Sequence, residues 1–228
     1  MRLLSLQIGR ISSYPVPDTD EPGQVFSSGI GKRPVPGPVA LARLGLAGDE
    51  IADLRVHGGP DQAVLAYAAA HYPLWAVEWD RPEPPPGSFG ENMTVEGADE
   101  TTVCVGDRWR IGEAVLEVSK PRSPCNHLAW YQQREDLVAR VRQTGRSGWY
   151  LRVIAEGDLE PGVAIELLAR PYPALNVRRV AVAMANRHRD HAEAMLLVHC
   201  EALAQDWRLR LAREGFRRSG GADASRPN

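Results

Sequence analysis

The chain has 228 residues, of which 43% are hydrophobic and 25% are charged, an ordinary composition for a globular protein of one or two domains. Its formal net charge of −2 gives no overall reason to expect binding to nucleic acid or to a membrane. The three cysteines are widely spaced, which excludes a disulfide framework and a zinc-finger pattern and fits a reduced cytoplasmic protein. No apolar run is long enough for a signal peptide or a membrane span. The 18 prolines and 21 glycines indicate many turns and favour a β-rich main body.

The N-terminal region combines one strand pattern with a long polar segment. Residues 4–8 alternate apolar and polar side chains, which predicts a β-strand. Residues 12–38 are rich in serine, proline and glycine, which predicts a long loop. Within it, Lys32 and Arg33 follow a glycine-containing run that can bring N–H groups and positive charge to a phosphate, although such stretches are more often plain turns. The run does not match a Walker A loop.

The stretch Asp-Leu-Arg-Val-His-Gly-Gly-Pro at 53–60 is a second candidate binding segment. Its glycine pair, Gly58 and Gly59, lets the backbone approach a ligand closely or adopt positive φ. Arg55 and His57 come just before this pair. A hydrogen-bonded structural histidine is the more common role for a residue such as His57.

Further elements follow from composition and turn signals. Strands are predicted at 39–46, at 63–67, between the Gly-Asp turn at 106–107 and the Gly-Glu turn at 112–113, at 115–119, at 148–157 and at 165–168. A helix is predicted at 68–79, with Pro73 in its first turn. Asn92 lies where a loop enters a strand, so its amide either binds a polar ligand or forms a turn. Cys104 has no cationic neighbours in sequence and is predicted to be part of the core.

The most distinctive segment is Lys-Pro-Arg-Ser-Pro-Cys at 120–125. Two prolines fix φ on either side of Arg122 and Ser123, which predicts a stiff loop that holds the Cys125 thiol beside two cations. Nearby positive charge favours the thiolate, which is the form that binds metal or attacks an electrophile. An inert buried cysteine is the alternative. Residues 126–144 have helical spacing, which places Cys125 near a helix N-terminus and favours the thiolate further.

After residue 173 the composition becomes rich in alanine, leucine and arginine, with few turn signals. Three helices are predicted near 177–185, 190–202 and 204–216. Arginines outnumber acidic residues here, and a basic helical module can contact nucleic acid, but a solvated surface is the commoner explanation. The predicted organisation is a β-rich domain at 1–173, a three-helix accessory domain at 174–217 and a disordered tail at 218–228.

Five motifs occur in one order along the chain. They are Asp-Leu-Arg-Val-His-Gly-Gly-Pro at 53–60, Phe-Gly-Glu-Asn-Met at 89–93, Cys-Val-Gly-Asp at 104–107, Pro-Arg-Ser-Pro-Cys at 121–125 and Gly-Trp-Tyr-Leu-Arg at 148–152. Together they resemble the MOSC domain family, named for the C-terminal domain of molybdenum-cofactor sulfurases. The likeness is to its stand-alone bacterial branch, which protects cells from the mutagen hydroxylaminopurine and carries a small three-helix C-terminal domain. The resemblance spans roughly residues 1–217 and implies a mainly β fold with α-helices (α+β), a MOSC-type β-barrel followed by three helices.

The resemblance also implies a molybdenum cofactor, a metal held by the dithiolene of a phosphate-bearing pterin. The family's cysteine ligand to molybdenum, and hence its catalytic residue, falls on Cys125, and a soft thiolate suits a metal already bound by sulfur. The residues assigned to the pterin and its phosphate are Lys32, Arg33, Arg55, His57, Gly58, Gly59, Asn92, Arg122 and Ser123. Asn126 and His127 depart from the aromatic or aliphatic pair expected in relatives. His127 therefore either alters substrate selection or caps the following helix.

Three functions are consistent with these residues, in decreasing order of preference. The first is an oxidoreductase that reduces N-hydroxylated compounds, such as hydroxylaminopurines, to amines. Its electrons would come from a separate, flavin-containing reductase, because the chain has no dinucleotide-binding fingerprint. The second is a sulfur carrier or cofactor-handling protein with a persulfide on Cys125, made by a pyridoxal-phosphate enzyme. The family's association with pyridoxal phosphate has no matching lysine motif in this chain.

The third function is a binding module whose basic helices contact nucleic acid. Neither nucleic acid nor a membrane is the preferred partner. A cytoplasmic location is expected, and the oligomeric state is left open, with a homodimer as one alternative.

Overall fold

The computed structural model describes residues 1–17, 21 and 23–219, with side chains described as far as residue 214. The strands in this part of the chain are β1 Arg2–Ile8, β2 Ser12–Pro15, β3 Val25–Ser28, β4 Arg33–Pro34, β5 Val39–Ala42, β6 Gly45–Leu46, β7 Val64–Ala68, β8 Met93–Glu96, β9 Arg108–Ile111, β10 Ala114–Pro121, β11 Trp149–Ala155, β12 Gly157–Leu159 and β13 Ile165–Ala169. The α-helices are α1 His71–Trp79, α2 Asn126–Tyr131, α3 Leu137–Thr144, α4 Val177–Asn186, α5 His191–Val198 and α6 Gln205–Ser219. None of the described helices has the length and apolar character needed to cross a membrane.

Eight strands form one curled sheet in the spatial order β13-β9-β10-β11-β7-β8-β1-β4. Neighbouring strands are antiparallel except β7 and β8, which are parallel because the chain crosses over through α1 between them. Hydrogen bonds of 3.0 Å from Leu3 N to the Val163 oxygen, and from Ile165 N to the Met1 oxygen, join β1 to the start of β13. The sheet therefore closes partly, into a half-barrel. The prediction of a mainly β, barrel-like fold with several helices is confirmed, and the barrel is a half-barrel.

The inner side of the half-barrel buries one apolar cluster. Trp109 and Trp149 are fully buried, with their ring centroids 6.0 Å apart in an edge-to-face arrangement. β7 is buried along its whole length, as expected of a strand covered on both faces. In β1 a shift of register between Leu3 and Ser5 places Leu3 in the core in place of Leu4, whereas Leu6 is buried as the alternation predicts.

The predicted long loop at 12–38 is wrong in part. β2 and β3 pair as a hairpin, in which Tyr14 faces Phe26 with ring centroids 5.4 Å apart. β4 adds to the edge of the main sheet beside β1, where Pro34 is tolerated because an edge strand needs fewer backbone donors. The contact between these two rings stabilises the strand pair, which the serine and proline content of the segment did not predict.

Two other boundaries differ from the predictions. The strand predicted at 39–46 is a hairpin of β5 and β6, and β12 pairs with β5 to complete a small second sheet. The single helix predicted at 126–144 is divided into α2 and α3. Gln133 has a φ of 52°, a left-handed conformation that ends a helix, and Arg134 forms a local ion pair with Asp136 across the break.

The three predicted C-terminal helices are present as α4, α5 and α6. Asn176 accepts a 2.8 Å hydrogen bond from Arg179 N at the start of α4, and Asp190 accepts one of 3.0 Å from Glu193 N at the start of α5, as capping residues do. These helices share an apolar cluster with Val105 of the half-barrel. α6 extends through residues 218 and 219 of the predicted tail, and the rest of that tail lies outside the described residues.

Polar contacts attach the start of α6 to two segments of the half-barrel. The Lys120 ammonium donates to an Asp206 oxygen at 2.7 Å, and Gln205 N donates to an Asp61 oxygen at 2.9 Å. Ala204 N donates to the Ser119 oxygen at 2.9 Å. The helices are therefore held against the chain just before the Cys125 loop and just after the glycine pair.

Candidate functional site

A cavity of about 120 Å³ lies where five segments of the chain meet. Residues 27–32, 49–58, 62–65, 90–92 and 122–127 supply most of its lining. Seven of the sequence-predicted site residues contribute to it: Lys32, His57, Gly58, Asn92, Arg122, Ser123 and Cys125. The fold thus brings together four motifs that are far apart in sequence. Arg33, Arg55 and Gly59 are not part of this lining, and the assignment of all ten residues remains a prediction.

Cys125 is the cysteine that faces this cavity. It is half-buried and has an extended backbone as the first residue before α2, the position predicted from sequence. Cys104 and Cys200 are buried, and burial raises the pKa of both thiols. The core location predicted for Cys104 is confirmed, and Cys125 is left as the thiol placed to react.

Arg122 supplies a buried positive charge to the same wall. Only 6% of the residue is exposed, and its backbone N–H donates to the Gly148 oxygen at 3.0 Å. Within the described part of the chain, no carboxylate lies within ion-pair distance of its guanidinium. A buried cation without an anionic neighbour is costly, so this position favours an anionic ligand.

Two histidines lie on the cavity wall near this charge. Burial, His127 and Arg122 together lower the pKa of His57, and burial lowers the pKa of His127. The His127 ring is stacked on Phe26, with centroids 4.5 Å apart. Both imidazoles are therefore neutral near pH 7, and each has one ring nitrogen to donate and one to accept a hydrogen bond.

Asp49 is a cavity residue that the sequence did not reveal. Its carboxylate forms an ion pair with Lys32 and accepts hydrogen bonds of 2.8 Å from the Asn92 amide and from Gly9 N. The side chains of Lys32 and Asp49 are each only 8% exposed. Burial lowers the pKa of Lys32, and the negative charge of Asp49 opposes that shift. An acidic residue in a Gly-Asp-Glu turn carries no sequence signal for such a pair.

Asn92 is occupied by this network and by the backbone. Its side-chain oxygen accepts from Leu65 N at 3.1 Å, and its amide also donates to the Gln7 oxygen at 3.3 Å. Asn92 therefore fixes β7, β1 and Asp49 relative to one another. These contacts make Asn92 a residue that orders the cavity wall, and its role in ligand binding stays a prediction.

A buried glutamate supports the loop that precedes Asn92. The Glu91 carboxylate accepts hydrogen bonds from the Tyr72 hydroxyl and from the backbone N–H groups of Gly87 and Phe89, the last at 2.9 Å. Burial raises the pKa of Glu91. This carboxylate lies behind the cavity wall and holds α1 against the 87–91 loop.

The predicted site residues outside the cavity lining have other contacts. Arg55 has an 88% exposed side chain that forms two 2.9 Å hydrogen bonds with Asp53. These bonds lower the pKa of Asp53 to about 2. Arg33 is exposed in β4. Gly59 has a φ of 82°, which confirms the positive φ expected of the glycine pair and turns the chain into the short 3₁₀ helix Pro60–Gln62.

The donor atoms restrict the kind of metal that the cavity can hold. Among the described residues there is no group of three or more His, Cys, Asp and Glu side chains that could bind a metal ion. An ion that relies on protein ligands alone therefore has no site in this part of the chain. A metal delivered with its own sulfur ligands needs only one further soft donor, and the Cys125 thiolate fits that requirement.

Comparisons with known proteins agree with this arrangement. The chain is 42% identical over 213 residues to the uncharacterized protein YflK of Bacillus subtilis, covering 90% of each chain. It is 31% identical to the solved structure of YiiM from Geobacillus stearothermophilus, with a TM-score of 0.77 and coverage of 93% of this chain and 97% of that one. A protein of Gibberella moniliformis named "Reductase" is 37% identical over 223 residues, but this chain spans only 37% of its length.

The family model for the MOSC domain matches residues 53–166, the part that contains the glycine pair, Asn92 and the Cys125 loop. Because this match spans half of the chain and the relative from Bacillus subtilis covers 90% of it, the protein belongs to the MOSC domain family.

Proposed function

We propose that the protein is a molybdenum-cofactor-dependent oxidoreductase that reduces N-hydroxylated compounds, such as N-hydroxylated purines, to amines. The observation that carries this proposal is the placement of the half-buried Cys125 thiol in the same cavity as the buried Arg122 guanidinium. The thiol offers a soft ligand to a metal, and the guanidinium, which no described carboxylate balances, offers positive charge to an anionic group of the cofactor. The relative named "Reductase" supports this reaction class for the shared region.

The residues present fit such a cofactor in their chemistry. Cys125 would hold the metal, and Arg122 and Ser123 would bind the pterin or its phosphate, while Lys32 is already balanced by Asp49. A cavity of about 120 Å³ is smaller than the ~300–1,000 Å³ of typical ligand pockets, so a pterin must extend beyond it. When bound, the cofactor would supply the two-electron redox chemistry.

The reaction itself defines what the protein must add. Reduction of an N-hydroxylated amine consumes two electrons and two protons, breaks the N–O bond and releases water. His57 and His127 are neutral groups at the cavity wall, able to hold the substrate hydroxyl and to pass protons to it. Burial, and with it the positive charges of His127 and Arg122, lowers the pKa of His57, and burial lowers the pKa of His127, so both imidazoles are kept neutral.

A separate donor protein would supply the electrons, because the sequence has no dinucleotide-binding fingerprint. Purified, cofactor-loaded protein is expected not to reduce a hydroxylaminopurine with a nicotinamide cofactor alone. Addition of a flavin-containing reductase or a chemical dye donor should start turnover. Turnover with the nicotinamide alone would contradict the separate donor.

The Cys125→Ser variant tests the metal ligand directly, since a hydroxyl is a poor ligand for a soft metal. Protein from a cofactor-competent host should lose molybdenum and reductase activity, whereas the matched variant Cys200→Ser should keep both. Metal and pterin analysis, with circular dichroism as the check on folding, measures this. Full activity in Cys125→Ser would refute the assignment. Wild-type protein that lacks molybdenum but carries a persulfide on Cys125 would support the sulfur-carrier alternative instead.

A further inference from the structure

A second hollow of about 650 Å³ lies behind the Cys125 loop. It is bounded by residues 121–124, 141–147 and 178–187, together with Trp207 and Arg210 of α6. Arg122 and Ser123 line both hollows, whereas Pro121 and Pro124 line only the second and Cys125 lines only the first. The 121–124 segment is therefore a partition between the two, and we call the second hollow the arginine groove.

The lining of the arginine groove is strongly basic. Its arginines are Arg122, Arg142, Arg178, Arg187 and Arg210, and its described lining includes no aspartate or glutamate. Glu214 lies nearby and pairs with Arg187 at 3.0 Å and with Arg210 at 3.6 Å. The described residues place no carboxylate within ion-pair distance of the other three arginines. The groove therefore has a surplus of positive charge that the described part of the chain does not balance.

Arg122 distinguishes this groove from an ordinary basic surface. A row of exposed arginines is fully solvated and needs no ligand. Arg122, by contrast, is 6% exposed, so part of its hydration is lost, and no described carboxylate lies within ion-pair distance to compensate. An anion that enters the groove would recover this desolvation cost, and Arg142 and Arg178 would attract it to the entrance.

The shape of the groove favours a small ligand. Its volume lies within the range of pockets that bind small molecules, about 300–1,000 Å³. The planar guanidinium fork matches phosphate oxygens, and apolar residues such as Val182 and Trp207 offer contact to a non-polar remainder.

We propose that the arginine groove is a binding site for a phosphate-bearing small molecule, such as a nucleotide. The site is separate from the Cys125 cavity but shares Arg122 with it. Because one guanidinium serves both hollows, an anion in either one competes for the same charge, and each ligand weakens the binding of the other by the same factor. The proposal does not depend on the reductase function, since it concerns binding alone.

Isothermal titration calorimetry of the full chain with sodium pyrophosphate and, separately, with ATP at constant ionic strength tests the site. We expect saturable binding of one equivalent. The double variant Arg142→Ala/Arg178→Ala should bind at least ~10-fold more weakly, because two charge-assisted contacts are lost. The matched control Arg43→Ala/Arg81→Ala removes the same charge from exposed positions outside the groove and should bind as the wild type does.

Three outcomes would overturn the proposal. The first is the absence of saturable binding, and the second is equal weakening in both double variants, which indicates a general charge effect. The third is binding of a single-stranded oligonucleotide or a poly-glutamate peptide that is tighter than that of ATP and lost in the groove variant, which assigns the groove to a macromolecule. Thermal melting of each variant verifies that the compared proteins are folded.

Discussion

Two buried cations at the Cys125 cavity, Lys32 and Arg122, differ in whether a carboxylate balances their charge. In the Cys125 cavity, Lys32 is buried and its charge is balanced by Asp49. Arg122, equally buried, has no acidic partner among the described residues. The comparison shows that the number of basic residues in a motif does not reveal which charge is available to a ligand. Availability depends on the partners that the fold supplies, and by this criterion Arg122 is the cation to which an anion should bind.

The largest expected effect comes from removing the partner in the balanced pair. Asp49→Ala leaves the Lys32 ammonium buried without its counter-charge and removes a hydrogen-bond acceptor from Asn92. We expect a loss of about 3–5 kcal/mol in the free energy of unfolding, measured by urea denaturation. The control Asp53→Ala, which removes the partner of the exposed Arg55 side chain, should have little effect. Equal stabilities of the two variants would contradict the buried pair.

Arg122→Met changes a similarly buried position, but unlike Asp49→Ala it should not lower the free energy of unfolding. It removes a charge without an acidic partner and keeps an apolar stem, so the free energy of unfolding should be unchanged or higher. Molybdenum content after expression in a cofactor-competent host should fall by roughly 10-fold, because a charge-assisted contact is lost.

The control for Arg122→Met is Arg110→Met, which breaks an exposed pair with Glu166 and should retain the cofactor. Equal cofactor content in the two variants would show that Arg122 has no special part in binding. A large loss of stability in Arg122→Met would show instead that its guanidinium is structurally satisfied.

The same contrast explains how much of the site could be predicted from sequence. The Pro-Arg-Ser-Pro-Cys and His-Gly-Gly-Pro motifs are local, so the position of Cys125 before a helix and the positive φ of Gly58 and Gly59 followed from the residues themselves. The ion pair of Lys32 with Asp49 joins residues 17 apart that share no pattern, and only the folded chain brings them together.

A contact between two strands accounts for one error in the predicted fold, and a local backbone conformation accounts for another. Serine and proline content predicted a loop at 12–38, but contact between Tyr14 and Phe26 stabilises a hairpin there. Helical spacing predicted one helix at 126–144, but the left-handed Gln133 divides it. The domain boundary at 173 remains a prediction, and Val177 beyond it packs within the half-barrel cluster.

An intermediate effect is expected where α6 meets the Cys125 loop. Asp206→Ala leaves Lys120, whose side chain is only 5% exposed, without its 2.7 Å partner. Because Asp206 itself is largely exposed, water can replace part of the interaction, and we expect a loss of about 1–3 kcal/mol in the free energy of unfolding. Glu96→Ala breaks a pair with Arg2 that is half exposed on both sides and should cost at most about 1 kcal/mol. A smaller loss in Asp206→Ala than in Glu96→Ala would contradict this assignment.

The smallest expected effect concerns pH and the two cavity histidines. Burial lowers the pKa of both His57 and His127 in the folded protein, with Arg122 contributing to the shift of His57. Between each lowered pKa and the ordinary value near 6.5, the unfolded chain binds more protons than the folded one. The free energy of unfolding therefore rises with pH through this window, and the stabilisation is lost as the pH falls from 7 toward 5.

Urea denaturation at a series of pH values tests this expectation. The free energy of unfolding of the double variant His57→Gln/His127→Gln should depend less steeply on pH than that of the wild type. His199→Gln, which removes an exposed histidine at the end of α5, should leave the dependence unchanged. If the double variant retains the wild-type slope, these imidazoles are not held neutral by the cavity, and the proton-transfer role proposed for them loses its physical basis.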